Sequence, residues 1–444
     1  MTFQKALQYL HSFTNYESKL SSLRPSDLNL ARVSDLLEKI GKPHKKIKCV
    51  HIAGSNAKGS VCAFLSFILS SAGYRVGLYT SPHLNILNER IRIFTPQGKF
   101  KNISNQDLTK VIEKLKSKIE EARKDKRSGD LTFFEVLTAA ALYYFALEKV
   151  DVVVLETGLG GRLDATNAVD SLVCGITPIS FEHTKILGST LTAIVNEKAA
   201  IIKKPMQQVI LAPQPLEAMR VLKKRCAEYG ITPTVIGKDI RIEKASSNLK
   251  EQRFILKTPQ GVYRNLKIHL LGKHQIENAA FAVGLAEALQ AHGFVMQKKA
   301  IVQGLSRTAW PGRFEMFSFK PLVILDGAHN PQAFEVLVQA VKTFLPKKNI
   351  LLILGLSNDK DIKGICRWAK DLSSKIIATQ ADHPRALASK ELADQPLIKS
   401  RIFARTDNVK EAVRIAMKQK SDAILIAGSL FVVGEARRRL HVSI

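Results

Sequence analysis

Lys58 stands in the turn Gly54-Ser-Asn-Ala-Lys-Gly-Ser60, which follows the apolar run Ile47 to Ala53 and opens an apolar helix from Val61 to Ala72. Backbone N–H groups of such a turn, with the positive end of the following helix dipole, form an anion cradle. From there Lys58 can reach the outer phosphates of a nucleotide, and the Ser60 hydroxyl can serve a magnesium ion. The spacing Gly54-x-x-x-Lys58-Gly59-Ser60 differs from the usual pattern in which lysine directly precedes Ser or Thr. Context therefore carries the reading. Tyr74 to Thr80 reads as the next parallel strand of a βαβ unit, while an ordinary strand-to-helix turn is the alternative.

Other reactive side chains recur at the carboxyl ends of predicted strands, where open α/β sheets bind ligands. Ser81 follows the strand ending at Thr80 and is a candidate metal contact. Glu156 ends the continuous apolar run Asp151-Val-Val-Val-Leu-Glu156, the pattern of a central parallel strand, and a Gly-rich loop follows it. An acid there suits magnesium, and the bland alternative is a cap on the next element. Glu182 and His183 lie beyond the strand Leu172 to Thr177. Magnesium prefers oxygen, so from its type alone His183 reads as solvent-facing. Lys198 sits among apolar residues of the helix Leu191 to Ile202, where a charged amine needs a partner, a modification or a snorkelling path. In the second half, Asp326-Gly-Ala-His-Asn-Pro331 again follows an apolar strand.

The elements that must position these groups alternate strand and helix. Helical patterning over residues 3 to 40 is broken at Leu23 to Leu30, where Ser26 or Asp27 can cap the next helix. A charged helix begins near Asp107 and ends in the polar stretch Lys124 to Asp130, and Thr132 opens a buried apolar helix reaching Leu147. The stretch Lys244 to Gln252 reads as polar and irregular, and a helix then starts near Leu271 and runs to His292. The connector Trp310-Pro-Gly-Arg313 marks a boundary, after which a clean alternation resumes. The expected fold class is α/β: an N-terminal P-loop-type, mostly parallel sheet domain over 1–300, a linker at 301–313, and a smaller, doubly wound, Rossmann-like domain over 314–444.

At 444 residues with 45% hydrophobic and 24% charged residues, the composition is that of a globular chain of two or three domains. No apolar run is long enough to cross a membrane and no secretory signal is evident, so a soluble, cytoplasmic protein is expected. Five separated cysteines read as reduced packing residues. The net charge of +28 would suit nucleic acid, but the basic clusters, among them Arg123 to Arg127, are scattered without a base-stacking aromatic stripe. Small anionic substrates fit the charge equally well, and nucleic acid and membrane are not expected as partners.

Taken together, Gly54 to Ser60, Thr80-Ser-Pro-His, Glu156 with Gly158 to Asn167, His183-Thr, Glu197-Lys-Ala, His274-Gln with Asn278-Ala, Pro311-Gly-Arg, Asp326 to Pro331 and Gly428-Ser-Leu resemble the folylpolyglutamate synthase and dihydrofolate synthase family of the Mur ligase superfamily. The resemblance covers essentially the whole chain. It implies a monomeric ligase in which ATP phosphorylates a dihydropteroate or folate carboxylate and L-glutamate displaces the phosphate. It further implies two magnesium ions held by Ser60, Ser81, Glu156, His183 and a carbamylated Lys198, with Lys58, Lys198 and His183 as the catalytic set. Matching positions give Gly54, Ser55, Asn56, Ala57, Lys58, Gly59, Ser60, Asn278, Arg313, Asp326 and His329 to ATP. Ser26, Asp27, Leu28, Thr132, Phe133, Phe134, Glu135, Leu163, Asp164 and Ala165 fall to the pteroate. Three residues depart from the family pattern: Ala57 and Ala200 stand where glycine is usual, and Glu182 where aspartate is common.

Overall fold

The computed structural model describes residues 1–443 except 19–21, 97 and 126–128. The chain opens with helices α1 (Phe3–His11) and α2 (Leu30–Lys39). The Asn29 carboxamide caps α2 by accepting from Ala31 N. Ser26 and Asp27 do not cap it: Asp27 instead closes its own short turn by accepting from Arg24 N at 2.8 Å.

Eight strands then form one sheet: β1 (Cys49–Ala53), β2 (Val76–Tyr79), β3 (Ile91–Phe94), β4 (Phe100–Asn102), β5 (Val152–Glu156), β6 (Val173–Ile176), β7 (Gln208–Leu211) and β8 (Thr234–Val235). Their spatial order is β4-β3-β2-β5-β1-β6-β7-β8, parallel from β2 to β8, with β3 and β4 added antiparallel at one edge. Helices α3 (Lys58–Ser71), α4 (Asn105–Lys124), α5 (Phe133–Leu147), α6 (Thr184–Leu187), α7 (Leu191–Ala199), α8 (Leu216–Ala227), α9 (Lys273–Ala288) and α10 (Lys298–Arg307) complete the layer structure. The polar stretch after α4, including part of the basic cluster Arg123 to Arg127, lies partly outside the described residues.

Burial on both faces explains why β5 is apolar without alternation. Val152 and Val154 join the core under α3, α9 and α10, while Val153 and Leu155 join the core under α1, α2, α4 and α5. The helix α10 belongs to the first body rather than to the linker. A Cβ on Gly304 would lie 2.4 Å from the Ile68 Cα, a closeness only glycine allows. The connector is thereby shortened to residues 308–313. A three-stranded antiparallel sheet, β9 (Arg241–Ser247), β10 (Gln252–Thr258) and β11 (Gly261–Ile268), occupies part of the stretch read as irregular. β9 is almost wholly exposed, so it carries no apolar period from which a strand could be read.

The second body is a six-stranded sheet of β12 (Glu315–Phe319), β13 (Leu322–Leu325), β14 (Ile350–Leu354), β15 (Lys375–Ala378), β16 (Ile402–Arg405) and β17 (Ala423–Ala427), ordered β12-β13-β17-β14-β15-β16 and parallel except for β12. Helices α11 (Pro331–Phe344), α12 (Ile362–Leu372), α13 (Ser389–Ala393), α14 (Val409–Ala416) and α15 (Leu430–Ser443) surround it. Among the described residues no helix is long and apolar enough to cross a membrane.

Ala57, the residue before α3, adopts φ +71°, in the left-handed region. There the alanine Cβ crowds its own backbone, at a cost of about 1 kcal/mol. Ala57→Gly should therefore raise the denaturant midpoint modestly, by about half a kcal/mol of stability once the extra entropy of glycine in the unfolded chain is subtracted. A midpoint unchanged or lowered would mean that the loop absorbs the strain.

Candidate active site between the two domains

The parallel register of β1 and β5 sets Ile52 beside Glu156, so the loops that follow both strands emerge at the same edge. Gly54 makes the first of these turns possible. Its φ is +144°, and an added Cβ would fall 1.9 Å from Thr177 Oγ1. Lys58, the first residue of α3, folds its ammonium back onto its own loop, donating to Gly54 O at 2.9 Å and Ser55 O at 3.4 Å. These carbonyls hold the cation where an anion would enter.

Glu156 is buried and accepts from Ser81 N at 3.1 Å, which ties the loop after β2 to the end of β5. It therefore does not simply cap the element that follows. Burial lifts its carboxyl above the usual range, and Lys58, the Ser81 N–H and Arg313 only partly offset this. A carboxylate so short of positive charge, with the hydroxyls of Ser60 and Ser81 on the same cavity wall, fits a magnesium ion that takes its remaining ligands from phosphate and water.

The surroundings of Lys198 differ. Its side chain is 2% exposed, so it does not snorkel, and its ammonium meets Glu182 Oε1 at 2.6 Å and Gly54 O at 3.0 Å. Burial lowers the lysine's pKa, with the Glu182 charge opposing. Burial would raise the Glu182 carboxyl, but Lys198 and Lys58 hold it well below the usual range. His183, which reads as solvent-facing in the sequence, is largely enclosed, with burial bringing its pKa down to about 4, and Glu182 Oε2 lies 4.0 Å from its Nε2. As an ammonium, Lys198 repels a cation, so this corner fits a second magnesium only with the lysine carbamylated. Among the described residues no group of three His, Cys, Asp or Glu side chains could hold a metal ion.

A single cavity of about 1100 Å³ is lined by both domains. Into it face Gly54 to Ser60, Ser81, Glu156, His183, Lys198, Asn278, Arg313, Asp326 and His329, and also Asp27, Leu28, Thr132, Phe134, Glu135 and Leu163 to Ala165. Ser26 and Phe133 are not among its lining residues. Phe133 is 1% exposed and stacks on His11, because the helical register that turns Phe134 toward the cavity turns its neighbour into the core. Three further carboxylates in the lining are engaged as well. Glu135 pairs with Arg32 at 2.9 Å and closes the capping box of α5 through Thr132 N. Asp326 accepts from Phe314 N and Ala328 N, both at 2.8 Å, and so fastens the connector to the second sheet. Asp164 accepts from Leu159 N, Thr166 N and the Thr166 hydroxyl.

The domains meet directly over the Lys58 loop. Asn330 Nδ2 donates to Asn56 Oδ1 at 2.9 Å, and Asn56 Nδ2 donates to Gln332 Oε1 at 2.7 Å. Farther along the cavity, Arg90 grips the Glu17 carboxylate with both terminal nitrogens, and Arg385 of the second domain reaches the Glu17 carbonyl at 3.0 Å while pairing with Asp359. Residues 17, 90 and 385 are too far apart in sequence for this wall to be seen there.

Two family descriptions match the chain: Mur ligase middle domain over residues 52–286 and Mur ligase, glutamate ligase domain over 312–430. The dihydrofolate synthase/folylpolyglutamate synthase of Bacillus subtilis is 34% identical over 414 residues, covering 93% of this chain and 94% of that protein. Folylpolyglutamate synthase of Mycobacterium tuberculosis complexed with ADP superposes with a TM-score of 0.88 at 28% identity, covering 98% of this chain and 97% of the other. A folylpolyglutamate synthase complex with AMPPCP and folate superposes with a TM-score of 0.85 at 28% identity, over 99% and 100%. Matched along nearly its whole length, the chain belongs to the dihydrofolate synthase and folylpolyglutamate synthase family of Mur ligases and is an ATP-dependent ligase forming carbon–nitrogen bonds.

Proposed function

We propose that this enzyme joins L-glutamate to dihydropteroate, giving dihydrofolate, and also extends reduced folates with further glutamates. The observation that carries the reading is the single cavity in which the Lys58 loop, Glu156 and the loop bearing Asp164 face the second domain. The dual name of the Bacillus subtilis relative and the folate in the neighbouring complex support it. In this reading the acceptor carboxylate attacks the γ-phosphorus of ATP, the bond to the β-phosphate bridging oxygen breaks, and ADP leaves. The glutamate amine then attacks the acyl carbon, loses a proton, and expels phosphate as the amide forms.

Lys58 swings from its own loop carbonyls onto the γ-phosphoryl oxygens, where charge must be held in the transition state. Gly54 to Ser60, Asn278, Arg313, Asp326 and His329 hold the nucleotide. Ser60, Ser81 and Glu156 would hold a magnesium ion, and His183 with carbamylated Lys198 a second; bound there, the metal supplies charge neutralisation for the phosphates. The hydrogen bonds of Asn56 to Asn330 and Gln332 close the cleft over the phosphates and keep water from the acyl phosphate. Leu163 to Ala165, Thr132, Phe134 and Glu135 wall the acceptor together with Asp27 and Leu28. The enzyme works as a cytoplasmic monomer whose partners are ATP, glutamate and the folate.

The first experiment is ADP release and product formation with glutamate plus dihydropteroate, with glutamate plus a reduced folate, and with RNA or DNA in place of the acceptor. Turnover with both pteridine acceptors and none with nucleic acid is expected; an enzyme inert toward dihydropteroate is a polyglutamate synthase only. Asp164→Ala should lose dihydropteroate activity disproportionately, by one to two decades for a charge-assisted bond of about 1.5 to 3 kcal/mol. Equal loss of both activities would leave Asp164 as a cap of its turn.

Lys58→Ala and Glu156→Ala should each abolish ligation while the circular dichroism spectrum and denaturant midpoint stay close to wild type. A Glu156→Ala enzyme with normal magnesium-dependent turnover would remove Glu156 from the site.

For Lys198 the chemistry is specific, because a carbamate forms from a neutral amine and carbon dioxide, and burial favours the neutral amine. Lys198→Ala should be nearly inactive, with part of the rate restored by acetate or formate. The wild-type carbonyl carbon should appear by NMR on adding labelled bicarbonate. Full activity in Lys198→Ala, or no carbamate signal, would leave Lys198 as the unmodified partner of Glu182.

A further inference from the structure

One titratable side chain in the middle of the first sheet is used by none of the chemistry above. His51 lies on the central strand β1 and is 0% exposed, yet its Nε2 lies 2.8 Å from the Thr166 hydroxyl and 3.0 Å from the Thr157 hydroxyl. The direction of these bonds follows from their neighbours. Asp164 accepts from Leu159 N at 2.8 Å and from Thr166 N at 3.0 Å, so its carboxylate acts as an acceptor. The Thr166 hydroxyl, 2.5 Å from Asp164 Oδ1, therefore gives its proton to that carboxylate. Having done so it can only accept from His51, and Nε2 must carry the imidazole proton. That leaves Nδ1 bare, buried and without a partner.

A buried acceptor without a partner is unfavourable, and an aliphatic side chain would fill this place without it. What histidine provides here, and leucine would not, is one donor aimed at two threonines. Thr157 directly follows Glu156, and Thr166 holds Asp164. Both threonines belong to the segment 157–167, of which residues 157–160 and 163–165 line the cavity. The rest of the segment is held from other sides: Arg162 N donates to Glu197 O, and Gly161 packs so closely on α7 that an added Cβ would lie 2.5 Å from that carbonyl. His51 is the hold from inside the sheet.

We infer that His51 is a positioning residue for acceptor binding: its Nε2–H, through Thr166, fixes the Asp164 carboxylate and with it the wall of the acceptor site. The inference rests on the reading that this segment meets the pteridine acceptor. His51→Leu, His51→Gln, Asp164→Ala and the double variant His51→Leu with Asp164→Ala should be compared by KM for dihydropteroate, KM for ATP, kcat and thermal midpoint. His51→Leu is expected to raise the acceptor KM about tenfold with the ATP KM within about twofold. His51→Gln, whose amide donor reaches about as far as Nε2, should restore most of the acceptor KM. The double variant should be no worse than Asp164→Ala, because the two residues act as one unit. A rise in both KM values together, or no recovery in His51→Gln, would reduce His51 to packing and overturn the inference. Should Asp164→Ala raise the acceptor KM while His51→Leu does not, the inference fails and the acceptor reading stands. Unchanged acceptor KM in both single variants would instead overturn the acceptor reading itself, and the inference with it.

Discussion

The site depends on one constraint: β1 and β5 are parallel neighbours at the middle of a sheet covered on both faces. Parallel pairing sends both chains out at the same edge, and the register that opposes Ile52 to Glu156 brings the Lys58 loop and the Glu156 carboxylate to a common rim. Antiparallel pairing would have placed them at opposite edges. Because both faces are closed by helices, the rim is the open direction, and a second domain can seat there and shut the cavity.

The same burial produces the electrostatics. Glu156 and Lys198 are both driven toward their neutral forms by desolvation, and each is answered by groups from a different part of the chain. For Lys198 the answering group is Glu182, one of the departures from the family pattern. The pairing stabilises an ammonium in a place where the proposed chemistry calls for a carbamate. Glutamate has one methylene more than aspartate, and its carboxylate here reaches 2.6 Å from the lysine nitrogen. Lys58 and Lys198 both donate to the Gly54 carbonyl, so one backbone oxygen of the loop meets both cations.

Much of the fold was legible because its signals are local. Apolar runs of strand length marked β1, β5 and β6, and Thr132 marked the start of α5, where the structure adds a capping box with Glu135. The misses have physical causes of equal definiteness. Asn29 caps α2 where Ser26 and Asp27 were expected, since any of the three side chains could reach a free N–H and only the path of the backbone chooses. Exposed β9 has no periodicity to read. Phe133 and Phe134 are alike in type, and a rotation of one residue around α5 sends one to the core and the other to the cavity.

What the sequence determined by itself was the kind of chemistry and the edge at which it happens, because residue type and position at a strand end are properties of short segments. What only the tertiary structure decided was partnership. Glu182 with Lys198, Arg90 with Glu17, Arg385 with Glu17 and Asn56 with Asn330 join residues that are between 16 and 368 positions apart. No local pattern encodes such pairs, since they exist only after the sheet has fixed where each loop emerges. His51 states the case most simply: in the sequence it is one polar residue in a buried strand, and its role follows from two hydroxyls that folding brings to the same nitrogen.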